Sequence, residues 1–190
     1  MNKTGFLLLC GGHSSRMGQS KALLEIGGQP LVMHIARAGE GFAERILSVN
    51  DDAIPTPPGF VRVPDQYLDC GPMGGLHAAL SCTRSDALVV APCDAPGYSA
   101  QLAQYLAAQY RPELDAIILV GENGKVHPLM GVYSRRCLPA LKAHLQDRRF
   151  KLMRMLEELN TLELALPPGI PQRVLDNLNT PQDLARFLKA

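Results

Sequence analysis

Short apolar runs alternate along this chain with longer stretches in which apolar residues recur at helical spacing. Residues 6–10, 45–49, 61–63, 87–91, 116–120 and 130–133 read as strands. The runs are continuous rather than alternating, which is the pattern of strands buried on both faces. Residues 31–38, 74–82, 100–109, 138–145 and 152–159 read as helices, the first beginning near Pro30 and the second turning Leu76, Ala79 and Leu80 inward. A last helix follows Asn179-Thr180-Pro181, with Thr180 as N-cap and Pro181 at the first helical position. Strands alternating with helices predict an α/β fold, a Rossmann-like three-layer sandwich around a mostly parallel sheet. The Pro-rich stretches 54–59 and 167–171 read as surface connectors, and residues 1–190 are expected to form one domain.

Ligands of such sheets bind beyond the carboxyl ends of the strands. Polar residues sit where that rule wants them: a glycine loop after the first strand, Asn50 after the second, Asp65 after the third and Asp94 after the run 87–91. The loop reads Leu9-Cys10-Gly11-Gly12, then Arg16-Met17-Gly18 and Lys21. Paired glycines let backbone N–H groups approach phosphate oxygens, while Arg16 and Lys21 bring positive charge. The P-loop places its lysine directly after the second glycine, and the dinucleotide fingerprint needs G-x-G-x-x-G; neither spacing is present. A tight turn after a buried strand accounts for the glycines alone equally well. The nearby cations favour phosphate.

Pro92-Cys93-Asp94-Ala95-Pro96 holds an aspartate rigidly after a buried strand, the placement expected of a Mg²⁺ ligand in phosphoryl chemistry. A turn aspartate capping the next helix is the alternative. Net charge is +1, so nothing long-range attracts nucleic acid or a membrane surface. No apolar run approaches membrane-spanning length, and the apolar stretch before Gly11 is too short for a signal peptide. Five cysteines, odd in number and without a C-x-x-C pair, suit free thiols in the cytoplasm.

The opening Leu9-x-Gly11-Gly12-x-x-x-Arg16-Met17-Gly18-x-x-Lys21 resembles that of small nucleotidyltransferases, closest to the molybdenum cofactor guanylyltransferases. The likeness continues through Asp65-x-x-x-Asp69-x-Gly71-Pro72-Met73-Gly74-Gly75, the Asp94 turn, His127-Pro128, and Asn177-Leu178-Asn179-Thr180-Pro181-x-Asp183-Leu184. It implies a glycosyltransferase-A-like nucleotidyltransferase fold and transfer of GMP from GTP to molybdenum-molybdopterin with release of pyrophosphate. It also implies a Mg²⁺ on Asp94, and nucleotide contacts from Leu9, Cys10, Gly11, Gly12, Lys21, Asn50, Asp65, Gly71 and Asp94. Lys21 would stabilise the departing pyrophosphate with help from Arg16. Asp69 either hydrogen-bonds the glycine loop or is a solvated surface charge.

Pterin contacts are expected from Asn177, Asn179 and Thr180 in the C-terminal part, although Asn179 and Thr180 equally suit simple capping. His127, Arg135, Arg148, Arg149 and Lys151 are further candidates for the anionic pterin. Other cofactor-biosynthesis proteins and acceptor molybdoenzymes are the implied protein partners. Cys10 stands where the guanylyl enzymes usually carry Ala, and Gly11 favours GTP over CTP. The alternatives are a cytidylyltransferase for the same pterin, a sugar-phosphate nucleotidyltransferase, and a GTP-binding partner protein without catalysis.

Overall fold

The computed structural model describes residues 3–11 and 20–188. In chain order, β1 (Thr4–Leu9) leads to a short hairpin of β2 (Glu25–Ile26) and β3 (Gln29–Pro30), then α1 (Leu31–Ala36) and β4 (Arg45–Ser48). There follow β5 (Val61–Val63), α2 (Pro72–Cys82), β6 (Ala87–Pro92), α3 (Ala100–Gln109), β7 (Ala116–Val120) and β8 (Val126–Ser134). The chain continues through α4 (Leu138–Gln146), α5 (Leu152–Leu156), β9 (Thr161–Ala165) and α6 (Pro181–Phe187).

Among the described residues the main sheet has seven strands in the order β5-β4-β1-β6-β8-β7-β9. All its pairings are parallel except those of β8, which runs against both neighbours. The central strands β1 and β6 pair in register from Thr4↔Ala87 to Leu9↔Pro92, and every residue of β6 is buried. This is why both strands are continuously apolar in sequence.

Alternate residues of these strands feed two cores. Phe6 and Leu8 pack with Leu31, Ile35, Leu102 and Leu106 of α1 and α3. Leu7 and Leu9 pack with Leu76, Leu80, Leu141 and Met155 of α2, α4 and α5. The result is a three-layer sandwich whose mostly parallel sheet agrees with the sequence reading. The hairpin β2–β3 and the edge strand β9 are additions to it, and the helix expected over 152–159 stops at Leu156. No helix among the described residues is long and apolar enough to cross a membrane.

One carboxylate ties the lower end of the sheet together. Glu44, just before β4, accepts hydrogen bonds from the hydroxyls of Thr83 and Ser85 and from the amides of Arg84 and Ser85, at 2.6–3.0 Å. Burial opposes its ionisation, but the Ser85 and Thr83 hydroxyls and the two amides outweigh that and hold its carboxyl below the ordinary glutamate value. Its contribution to stability is therefore present above the unfolded-state pKa and is lost as pH falls through the folded one. Glu44→Ala should cost about 1.5–3 kcal/mol, the scale of hydrogen bonds to a charged group, in urea unfolding at neutral pH. The difference from the parent should narrow when unfolding is repeated below the carboxylate range.

Candidate active site

The ladder of β1 and β6 runs on past their ends. Cys93 donates its amide to Leu9 O at 3.0 Å, and Cys10 donates its amide to Ser48 O at 2.9 Å. Gly11 therefore emerges, exposed, beside the Asp94 turn and above β4. Gly12 and Arg16 lie outside the described residues.

Lys21 opens a short 3-10 turn (Lys21–Leu23) and points back at the strand ends. Its Nζ donates to Asn179 Oδ1 at 2.7 Å and to Asp94 Oδ2 at 3.2 Å. The side chains of Lys21 and Asp94 are only 19% and 21% exposed, so the pair is shielded from bulk screening more than an ordinary surface bridge. The Asp94 carbonyl accepts the amide of Leu178 at 2.7 Å. Three segments far apart in sequence thus meet around one ammonium.

Asn50 and Asp65, expected as separate nucleotide contacts, form a structural unit. Asn50 Oδ1 accepts the Asp65 amide at 2.7 Å, and Ser48 Oγ donates to Asp65 Oδ1 at 3.1 Å. The carboxylate lies against the first turn of α2, where a Cβ on Gly75 would come within 2.3 Å of Ser48 Oγ and 3.3 Å of Asp65 Oδ1. Burial pushes the Asp65 carboxyl above its ordinary value despite the hydrogen bonds from Asn50 and Ser48. Gly71, the N-cap of α2, has φ 60° and ψ −147°, a conformation essentially reserved for glycine. An added Cβ there would meet nothing within 4 Å, so the exposed Gly71 backbone is open to a ligand.

The C-terminal segment borders a cavity of about 1090 Å³ lined by Asn177, Asn179, His127, Lys125 and Arg173, among others. Thr180 is the N-cap of α6 and forms a reciprocal capping box with Asp183. Asp183 also accepts the amide of Asn179 at 3.0 Å, which fixes the backbone that carries the Lys21 contact. A register shift between β7 and β8 turns His127 toward this cavity, and burial, with Lys125 behind it, lowers its pKa.

Other candidates are not brought there. The Arg135 amide bonds Asp86 O at the opposite end of β6, because β8 runs backwards. Arg149 is paired with Asp147 and Glu158, both at 3.2 Å. Lys125, Arg173 and Ser48 escaped the sequence reading; they carry no local motif and matter only through tertiary placement.

A mostly parallel sheet with a lysine–aspartate pair, a glycine turn and a cavity at its carboxyl edge has the layout in which α/β enzymes bind their ligands. The family model of the MobA-like NTP transferase domain matches residues 6–162, and the chain belongs to that family. A molybdenum cofactor guanylyltransferase of Vibrio parahaemolyticus is 34% identical over 191 residues, covering 97% of this chain and 95% of that protein. The crystal structure of molybdopterin-guanine dinucleotide biosynthesis protein A from Archaeoglobus fulgidus superposes with a TM-score of 0.80 at 22% identity, covering 97% of each chain. A Mycobacterium tuberculosis protein crystallised in complex with manganese superposes at TM-score 0.69 and 21% identity, over 100% of both chains.

The Asp65 environment yields a stability test. A folded-state pKa raised by burial means that ionising this group works against folding, so its penalty grows as pH rises through the carboxylate range. Asp65→Asn should therefore unfold at higher denaturant than the parent at neutral pH, with the gap closing in acid. A variant less stable at neutral pH would mean that the hydrogen bonds from Asn50 and Ser48 outweigh the burial.

Proposed function

We propose that this protein transfers GMP from GTP to molybdenum-molybdopterin, forming the guanine dinucleotide cofactor and pyrophosphate. The observation that carries the reading is the position of Lys21 Nζ, between Asp94 on the nucleotide side and Asn179 beside the C-terminal cavity. On this proposal a leaving-group cation, a carboxylate suited to a metal and a second-substrate site stand together. In this reading the N-terminal part takes the nucleotide and the C-terminal part the pterin, and residues 1–190 act as one domain.

Asp94 fits a divalent metal of the Mg²⁺ kind. It offers hard oxygen donors at a strand end, and among the described residues no cluster of three or more His, Cys, Asp or Glu makes a cage. Mg²⁺ commonly takes one or two carboxylates and completes its shell with phosphate oxygens and water. Bound there, it would neutralise phosphate charge and favour in-line displacement.

The chain's own groups do the rest. The anionic terminal phosphate of the pterin attacks the α-phosphorus of GTP; a new P–O bond forms there while the bond to the β-phosphate oxygen breaks. Lys21, released from its partners when phosphates arrive, balances the charge growing on the departing pyrophosphate. Gly11 and Gly71 admit the nucleotide through their open backbone, and the Ser48–Asp65–Asn50 unit braces the pocket from the side of β4 and β5. His127, Lys125 and Asn177 line the cavity where the pterin would dock. The attacking group is already ionised, so positioning and electrostatics carry the acceleration.

The test is pyrophosphate release with Mg²⁺ and molybdopterin, comparing GTP with CTP, ATP and UTP. GTP should be selected, and Lys21→Ala and Asp94→Ala should each lower turnover by about a hundredfold or more, the scale of losing one preorganised charge-stabilising group. Preference for CTP would move the chain to the sister cytidylyl activity. Tight nucleotide binding without turnover would leave a nucleotide-binding partner protein.

A further inference from the structure

Two thiols sit at neighbouring strand ends beside the Asp94 turn, and neither makes or breaks a bond in the proposed transfer. Cys10 follows β1 and Cys93 follows β6, one step beyond the last registered pair Leu9↔Pro92, in a ladder that the Cys93 amide continues to Leu9 O. Both pack on the same face of the sheet, with the core that contains Phe6, Leu8, Val89 and Ala91. Neighbouring strands lie about 4.8 Å apart. That separation is inside the roughly 4.4–6.8 Å between Cα atoms that a disulfide spans. Cys10 is 9% exposed, whereas Cys93 is partly exposed beside Asp94.

We propose that Cys10 and Cys93 form a reversible dithiol switch, oxidised by peroxide, that ties the end of β1 at Gly11 to the Asp94 turn. The more accessible Cys93 reacts first. Its sulfur attacks one peroxide oxygen, the O–O bond breaks, and a sulfenic acid and water result. Cys10 Sγ then attacks Cys93 Sγ; the S–S bond forms, the S–O bond breaks, and the released hydroxide takes the Cys10 proton as water. Two thiols and one hydrogen peroxide become one disulfide and two waters. Burial, with Cys93 beside it, holds the Cys10 thiol well above its ordinary pKa, which makes Cys10 the slow, resolving partner.

The cross-link joins the residue before Gly11 to the residue before Asp94. Because the strand spacing is shorter than the usual disulfide Cα separation of about 5.5–6 Å, the cross-link would push the backbone that carries the metal-type carboxylate away from Gly11. A bond across adjacent strands is strained and correspondingly easy for thiol reductants to reopen. The chemical step stands on this geometry alone, whereas its effect on turnover rests on the transferase reading.

The experiment exposes the full-length protein to hydrogen peroxide, maps its peptides without reduction, and follows pyrophosphate release from GTP before and after dithiothreitol. A Cys10–Cys93 linked peptide is expected, absent from Cys93→Ala and retained in Cys82→Ser, which removes an exposed thiol on α2 away from the site. Turnover should fall by about a hundredfold on oxidation, the scale of an ångström of misplacement, and return on reduction. Cys82→Ser should match the parent before oxidation. Oxidation confined to other cysteines, or a linked protein with unchanged turnover, would overturn the switch. The peptide map reads the bond whether or not the protein turns over GTP, so failure of the switch is distinguishable from failure of the transferase reading.

Discussion

The ammonium of Lys21 is the point on which this site depends. It is held at 2.7 Å by Asn179 and at 3.2 Å by Asp94, while Leu178 bonds the Asp94 carbonyl. Those contacts close the C-terminal segment onto the sheet and hold the lysine at the carboxyl ends of the strands, where the proposed reading puts the phosphates. A solvated lysine at a helix start would do neither. Pairing a cation with partners that a polyanionic ligand can replace is a way to keep it ordered and still available.

The sheet makes that convergence possible. β1 and β6 are buried on both faces, so their ends are fixed by two cores rather than by loop geometry. Gly11, Asp94 and the Ser48–Asp65 pair then emerge at neighbouring strand ends. The reversed strand β8 brings His127 to the cavity edge and, by the same reversal, sends Arg135 to the far end.

The buried strands, the main helices and the polar strand ends were legible because burial on both faces writes a continuous apolar run. The capping box at Thr180 was legible too, since Thr180, Pro181 and Asp183 are a local code. What escaped was either amphipathic and exposed or non-local. β9 is an edge strand with no fully buried position, so its residues lack the signal of the central strands. The first half of β8 is obscured by Pro128 and a register shift. The hairpin β2–β3 is two residues on each side of Gly27 and Gly28, too short for any periodicity. The bond from Lys21 to Asn179 spans 158 positions, and no local pattern announces it. Asn50 and Asp65 were each legible as polar residues at strand ends, but not that the amide of one is held by the side chain of the other.

The most direct test of this account is a double-mutant cycle on GTP turnover with Lys21→Ala, Asn179→Ala and the two combined. If Asn179 acts by aiming Lys21, the double variant should fall no further than Lys21→Ala alone, with a coupling of about 1 kcal/mol or more. Fully additive losses would mean that Asn179 serves only the second substrate, and would contradict the convergence on Lys21.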